Sequence, residues 1–186
     1  MKKLIVTLCV LFVVSCSSSS PAKRYFQLTS DFSQTEQPAS QAVKDFIWIE
    51  SVNVAPYLNT LGIVYQTNDV EYVTANNNLW ASSLSQQITA RVVHDLSMLL
   101  PGRLVSDKPL SKPVTTLKVF IDSFHGHYAG DALIKGRWII NHNDTMTVKN
   151  FNYVIRQSQD GYEDLVKTLS KGWQEEEVDL VKTTKL

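Results

Sequence analysis

Four histidines, two cysteines and a few paired carboxylates are the residues of this chain whose chemistry extends beyond packing. His125-Gly126-His127 is the tightest arrangement. On a strand, positions two apart share a face, so both imidazoles would meet one metal ion. A zinc site needs a third and usually a fourth ligand. The remaining histidines, His94 and His142, are not brought near by their spacing. The pair therefore reads as the polar end of a strand, and no metal ion or cofactor is expected. Glu163 and Asp164 are adjacent; on a helix they point apart and make a poor acid/base pair. The chain has no Gly-x-Ser-x-Gly elbow, no His-Glu-x-x-His and no glycine-rich phosphate loop. An enzyme is not expected.

Of the two thiols, Cys9 lies inside an apolar stretch at 4–14, and Cys16 stands just past its end. As a helix the stretch would be ~16 Å long, about half of a hydrocarbon core of roughly 30 Å, so it cannot span. Met1-Lys2-Lys3, the short apolar body and the small Ser15 ahead of Cys16 read as a signal sequence. Val13-Val14-Ser15-Cys16 resembles a bacterial lipobox, whose cysteine carries an S-diacylglycerol and an N-palmitoyl group after cleavage ahead of it. Residues 1–15 are thus the signal peptide, 16–24 the lipidated cysteine with a serine-rich tether, and 25–186 a single domain. No thiol is left for a disulfide, a metal or a nucleophile. In lipoproteins of this kind an Asp after the cysteine favours retention at the inner membrane; Ser17 stands here, which implies the outer membrane.

Cleavage leaves 171 residues, enough for one domain with a proper core. Loss of Lys2 and Lys3 leaves 16 cations against 18 anions, a formal charge of −2. Without a basic stripe, neither nucleic acid nor a polybasic membrane face is expected.

The pattern predicts an α/β fold with a mixed or antiparallel sheet, a long central helix and a C-terminal helix packed on one face. Residues 25–28 read as a short strand and 30–41 as a loop. In 45–55, Phe46, Trp48 and Glu50 take one face and Ile47, Ile49, Val52 and Val54 the other, with a shift of phase near Ser51. Residues 63–66 and 70–74 form a hairpin about Thr67-Asn68-Asp69. The long helix is expected after Asn76-Asn77-Asn78, any of which would cap it, with a core stripe of Trp80, Leu84, Ile88, Val92, Leu96 and Leu99. Pro101-Gly102 ends it. Three strands follow as an antiparallel meander, at 115–128, 132–141 and 147–156, turning at Gly130-Asp131 and Asn143-Asp144. The last helix carries Tyr162, Val166, Leu169 and Trp173 at helical spacing. Its acidic run, Glu175-Glu176-Glu177, reads as a solvated face.

Val54-Ala55-Pro56-Tyr57-Leu58, Gly62-Ile63-Val64-Tyr65 and Asn77-Asn78-Leu79-Trp80-Ala81 resemble the auxiliary lipoprotein family of ABC-type and mammalian-cell-entry (MCE) transport systems. So do the Leu-Leu-Pro-Gly helix end and the Gln-Asp-Gly-Tyr opening of the last helix. The resemblance covers nearly all of the mature chain. It implies a non-enzymatic subunit of a lipid-transport machine at the outer membrane, working with a periplasm-spanning MCE-domain protein. Pro56, Tyr57, Leu58 and Asn59, in the segment 56–62, and Asn77 and Asn78 are the candidate docking residues. Many members carry Asp-Arg after Tyr-Leu, where this chain has Asn59 and Thr60. One small domain offers too little concave surface to enclose a phospholipid, so a homo-oligomeric collar is expected to receive the partner's end. The competing expectation is an accessory lipoprotein of another envelope assembly complex.

Overall fold

The computed structural model describes residues 21–32, 42–184 and 186. The signal segment at 1–15, Cys16, the start of the tether and residues 33–41 of the expected loop lie outside the described residues.

Eight strands form one mixed sheet: β1 (Arg24–Phe26), β2 (Asp45–Val54), β3 (Gly62–Gln66), β4 (Tyr72–Trp80), β5 (Arg103–Ser106), β6 (Thr115–His127), β7 (Asp131–His142) and β8 (Thr145–Arg156). The helices are α1 (Leu84–Leu99) and α2 (Tyr162–Thr184). β6 is the spine of the sheet. On one side of it β7 and β8 build the antiparallel meander. On the other side β2 runs parallel to its first half, a 3-10 turn at Pro56–Leu58 follows, and β3 rejoins the same strand at Gly126 and His127. β5 extends the sheet beyond β2; β4, in the expected hairpin, and then β1 extend it beyond β3.

Turn chemistry sets the meander. Asn143 and Asp144 both adopt positive φ, 48° and 63°, as a two-residue connection between twisted strands requires. The phase shift read near Ser51 is a bulge, the register with β6 slipping between Ile49 and Ser51. A second slip lies between Ile121 and Ser123 of β6. Before it Leu117, Val119 and Ile121 are buried with the core; after it Phe124 is, which sends His125 to the opposite face.

Both helices cover one face and share one core. α1 is amphipathic as expected: Leu84, Ile88, Val92 and Leu96 are all buried. α2 lays Trp173 against Trp138, Phe151 and Phe124, with ring centroids 5.7, 5.9 and 6.2 Å apart. That approach requires Gly172, because a Cβ there would run into the side chains of Ile155 and Ile134.

Two expectations are corrected. Asn76, Asn77 and Asn78 do not cap α1; they lie in β4, and the cap is Ser83, whose hydroxyl accepts from the Gln86 amide at 3.4 Å. Trp80 belongs to the strand too. Asparagines favour caps only where the chain leaves its strand, and here β4 has β1 beside it to continue pairing. The pairing with β3 jumps from Thr74 opposite Val64 to Leu79 opposite Gly62, so the asparagines form a large bulge.

The acidic run is the other correction. Only Glu175 faces water; Glu176 and Glu177 are fully buried. Glu176 Oε1 accepts from Trp138 Nε1 at 2.8 Å and from Lys149 Nζ at 2.7 Å. Lys149 also pairs with Asp179 at 2.9 Å. Consecutive helical residues are about 100° apart, so one run reaches water, β8 and the seam with α1 in turn.

Ile88→Ala should cost about 2–5 kcal/mol in denaturant melts, from lost burial and the cavity left behind. Lys149→Met strands the Glu176 carboxylate and should cost about 3–5 kcal/mol, whereas the double variant Lys149→Met/Glu176→Gln should recover much of it.

Candidate functional site

The four histidines do not converge. His94 Nδ1 bonds Asp95 Oδ1 at 2.6 Å on α1, and His142 Nδ1 bonds Thr115 Oγ1 at 2.7 Å at the start of β6. His127 Nδ1 accepts from the Ala129 amide at 3.1 Å in the β6–β7 turn. His125 is fully buried. Its Nδ1 lies 2.9 Å from the Gly126 carbonyl, which can only accept, so Nδ1 carries the proton and Nε2 is left as an acceptor. Burial lowers the His125 pKa and keeps the ring neutral at neutral pH. Among the described residues no group of three or more His, Cys, Asp or Glu is placed to hold a metal ion.

What covers His125 is the candidate docking segment. The 3-10 turn forms because Pro56 stands at its first position, where φ is already fixed and no amide proton is needed. The turn points Leu58 inward, 2% exposed, and leaves Pro56, Tyr57 and Asn59 at the surface. Tyr57 OH donates to the Asp122 carbonyl at 2.8 Å, in the β6 bulge. Its ring sits 4.8 Å from that of Tyr72 and 6.0 Å from that of His125, while Tyr72 and His125 meet edge-on at 5.2 Å. Burial pushes the Tyr57 phenol above its usual pKa, so it remains a neutral donor.

The second candidate segment joins the first along the chain direction of β3. The Trp80 amide donates to the Leu61 carbonyl at 2.6 Å, and Leu79 pairs with Gly62. Residues 59–62 and Asn77-Asn78 therefore lie at one end of the β3–β4 hairpin, with Asn78 also opposite Arg24 of β1. Of the six docking candidates, Leu58 is a core plug. Pro56, Tyr57 and Asn59 are exposed, and Asn77 and Asn78 lie half-buried in the bulge of β4. Tyr72 is the residue that sequence reading missed, since only the hairpin brings it under Tyr57.

The N-terminal segment leading from the tether is held on the helix side. The Leu28 amide donates to Gln87 Oε1 at 2.8 Å, the Thr29 amide to Ser170 Oγ at 3.1 Å, and the Asp31 amide to Gln174 Oε1 at 3.2 Å. Two surface clefts accompany these features. One, about 410 Å³, lies between Asp31 and the charged side of α2, lined by Lys171, Glu175 and Asp179. The other, about 290 Å³, lies between Tyr65, Tyr162, Leu165 and the turns at Gly130 and Gly161. Charged walls in the first make it a poor chamber for acyl chains. Among the described residues no helix is long and apolar enough to cross a membrane.

Residues 26–181 match the family model described as the ABC-type transport auxiliary lipoprotein component. The chain is 41% identical over 185 residues to the intermembrane transport lipoprotein PqiC of Escherichia coli K12, covering all of this chain and 98% of that protein. The Shigella flexneri PqiC gives the same identity and coverage. A solved structure of an uncharacterized protein, 38% identical, superposes with a TM-score of 0.78 over 88% of this chain and 99% of the other. A Xanthomonas campestris protein shares the fold at 15% identity, with a TM-score of 0.68 over 85% and 92% of the two chains. With its family model spanning nearly the whole folded domain, the chain belongs to the ABC-type transport auxiliary lipoprotein family.

Proposed function

We propose that this chain is a non-enzymatic, outer-membrane-anchored lipoprotein subunit of an MCE-type intermembrane lipid transport system. Lipidated at Cys16, it docks a PqiB-like, periplasm-spanning MCE-domain partner and contributes to membrane integrity. The observation that carries the reading is similarity along both whole chains to a protein named an intermembrane transport lipoprotein. The lipobox at residues 13–16 supplies the anchor, and Ser17 favours the outer membrane over the inner.

Docking is assigned to the surface of Pro56, Tyr57, Asn59, Asn77 and Asn78. A pinned aromatic such as Tyr57 is a good anchor for a partner, because its hydrogen bond to the Asp122 carbonyl limits the entropy lost on binding. Anchoring also confines copies of the domain to one membrane plane. That raises their effective concentration and favours closed cyclic assembly about the membrane normal, as a collar for the partner's end.

Cys16→Ala should leave the precursor unprocessed and abolish metabolic labelling with palmitate; labelling that persists undiminished would exclude Cys16 as the attachment site. Tyr57→Ala with Asn59→Ala should reduce co-purification of the MCE partner at least tenfold while leaving the melting curve close to native. Partner recovered at native yield would move the docking surface elsewhere. Mass measurement of the purified protein should show a closed oligomer, and a strict monomer, free and partner-bound, would remove the collar.

A further inference from the structure

The seam between α1 and α2 carries a feature that lipid transport does not call upon. From α1, Gln87, Arg91 and Asp95 recur every four residues and so share a face; from α2, Ser170, Gln174 and Glu177, four and then three residues apart, share one too. At one end of this seam Gln87, Ser170 and Gln174 hold the backbone of Leu28–Asp31, the strap between β1 and the rest of the domain. Gln87 is itself buried, and its Nε2 binds the Phe26 carbonyl at 3.3 Å. At the other end, roughly 11 Å along both helices, Asp95 and Glu177 face each other with almost no exposure.

Charge is unbalanced at that end. Asp95 Oδ1 takes Arg91 Nη2 at 3.2 Å and His94 Nδ1 at 2.6 Å. Glu177 is fully buried, and neither of its carboxyl oxygens makes a hydrogen bond among the described residues. The groups that act on it are Asp95 and Arg91 from α1 and the Trp173 indole from its own helix. One guanidinium cannot neutralise two buried carboxylates. Burial first, and then the Asp95 carboxylate, hold the Glu177 pKa well above the ordinary range, so the group keeps its proton where other carboxyls have lost theirs.

We propose that this seam is a proton-operated clasp on the N-terminal strap, closed while Glu177 is protonated and opened when Glu177 ionises. An acid with a raised folded-state pKa adds stability at low pH. That stability is lost progressively as pH rises from the ordinary carboxylate range to the group's own folded value. Ionisation puts an uncompensated charge beside Asp95, and the helices relieve it by parting. Ser170 and Gln174 then leave Gln87, and the strap loses its three hydrogen bonds. The three-residue β1, paired with β4, then holds the N-terminal end of the domain without the strap's support. The inference goes beyond the transport reading and stands without it.

Hydrogen–deuterium exchange on the full purified chain in detergent tests this, from about pH 6 to about pH 9 and corrected for the intrinsic pH dependence of exchange. Protection at Leu28–Asp31 and in α2 beyond Trp173 should fall together by at least about tenfold across that range. In Glu177→Gln the fall should vanish. Asp95→Asn, which removes the facing carboxylate that helps hold the Glu177 proton, should displace it to lower pH, and Glu175→Gln, at the solvated neighbour, should leave it in place. Native protein that keeps its protection throughout, a Glu177→Gln variant that opens as the native chain does, or a strap that exchanges independently of α2 would each overturn the clasp.

Discussion

The close seating of α2 on the sheet is the contact on which the rest of the structure depends. Trp173 packs on Trp138 with ring centroids 5.7 Å apart, and Gly172 removes the one Cβ that would hold the helix off. Once α2 is that low, its next turn cannot remain at the surface. Glu176 is carried to the Trp138 indole and Lys149, where two donors compensate its desolvation in part, and burial still raises its pKa. Glu177 is carried into the seam with α1, where neither carboxyl oxygen meets a donor at hydrogen-bond geometry among the described residues. A helix that buries large aromatic rings thereby also buries two carboxyls. The balance is favourable because each aromatic side chain removes 150–250 Å² from water, on the general scale for such residues.

The two faces of the sheet have separate duties as a result. Helices, core and strap occupy one face, and the chain toward Cys16 leaves from β1 beside them. The other face carries Tyr57, Tyr72 and His125, together with the Glu50–Lys118 pair at 2.6 Å. The bulge of β6 divides these duties, because it exchanges the strand's buried and outward positions between Ile121 and Phe124. Without it His125 would enter the helix-side core, and the Tyr57 hydroxyl would lose the carbonyl of Asp122 that it binds.

The proposed docking surface is built from a proline-led turn and a strand bulge rather than a long loop, so little order need be gained on binding. The strap, by contrast, is fixed by side chains of two different helices, and its hold is as strong as the contact between them.

Much of this was determined by the sequence alone. Alternation in 45–55, 115–128, 132–141 and 147–156, the Asn143-Asp144 turn and the Ile88 stripe are local patterns with local causes, and the strands, the meander and α1 follow from them. Membership of the family is likewise carried by residue type and order. What tertiary structure decided is where identical local signals change meaning. Asn76-Asn77-Asn78 is a good cap by type, yet β3 pairs on either side of it, at Thr74 and Leu79, and β1 pairs at Asn78, which keeps it in β4 as a bulge. Glu175-Glu176-Glu177 is a solvated face by type, yet the depth of α2, set by Gly172 and Trp173 against distant strands, buries two of the three. Tyr57, Tyr72 and His125 stand far apart in the chain and meet only because β3 pairs with both β4 and β6. Periodicity reports which side of an element is apolar; how closely that side approaches its neighbour is set by residues from elsewhere in the chain.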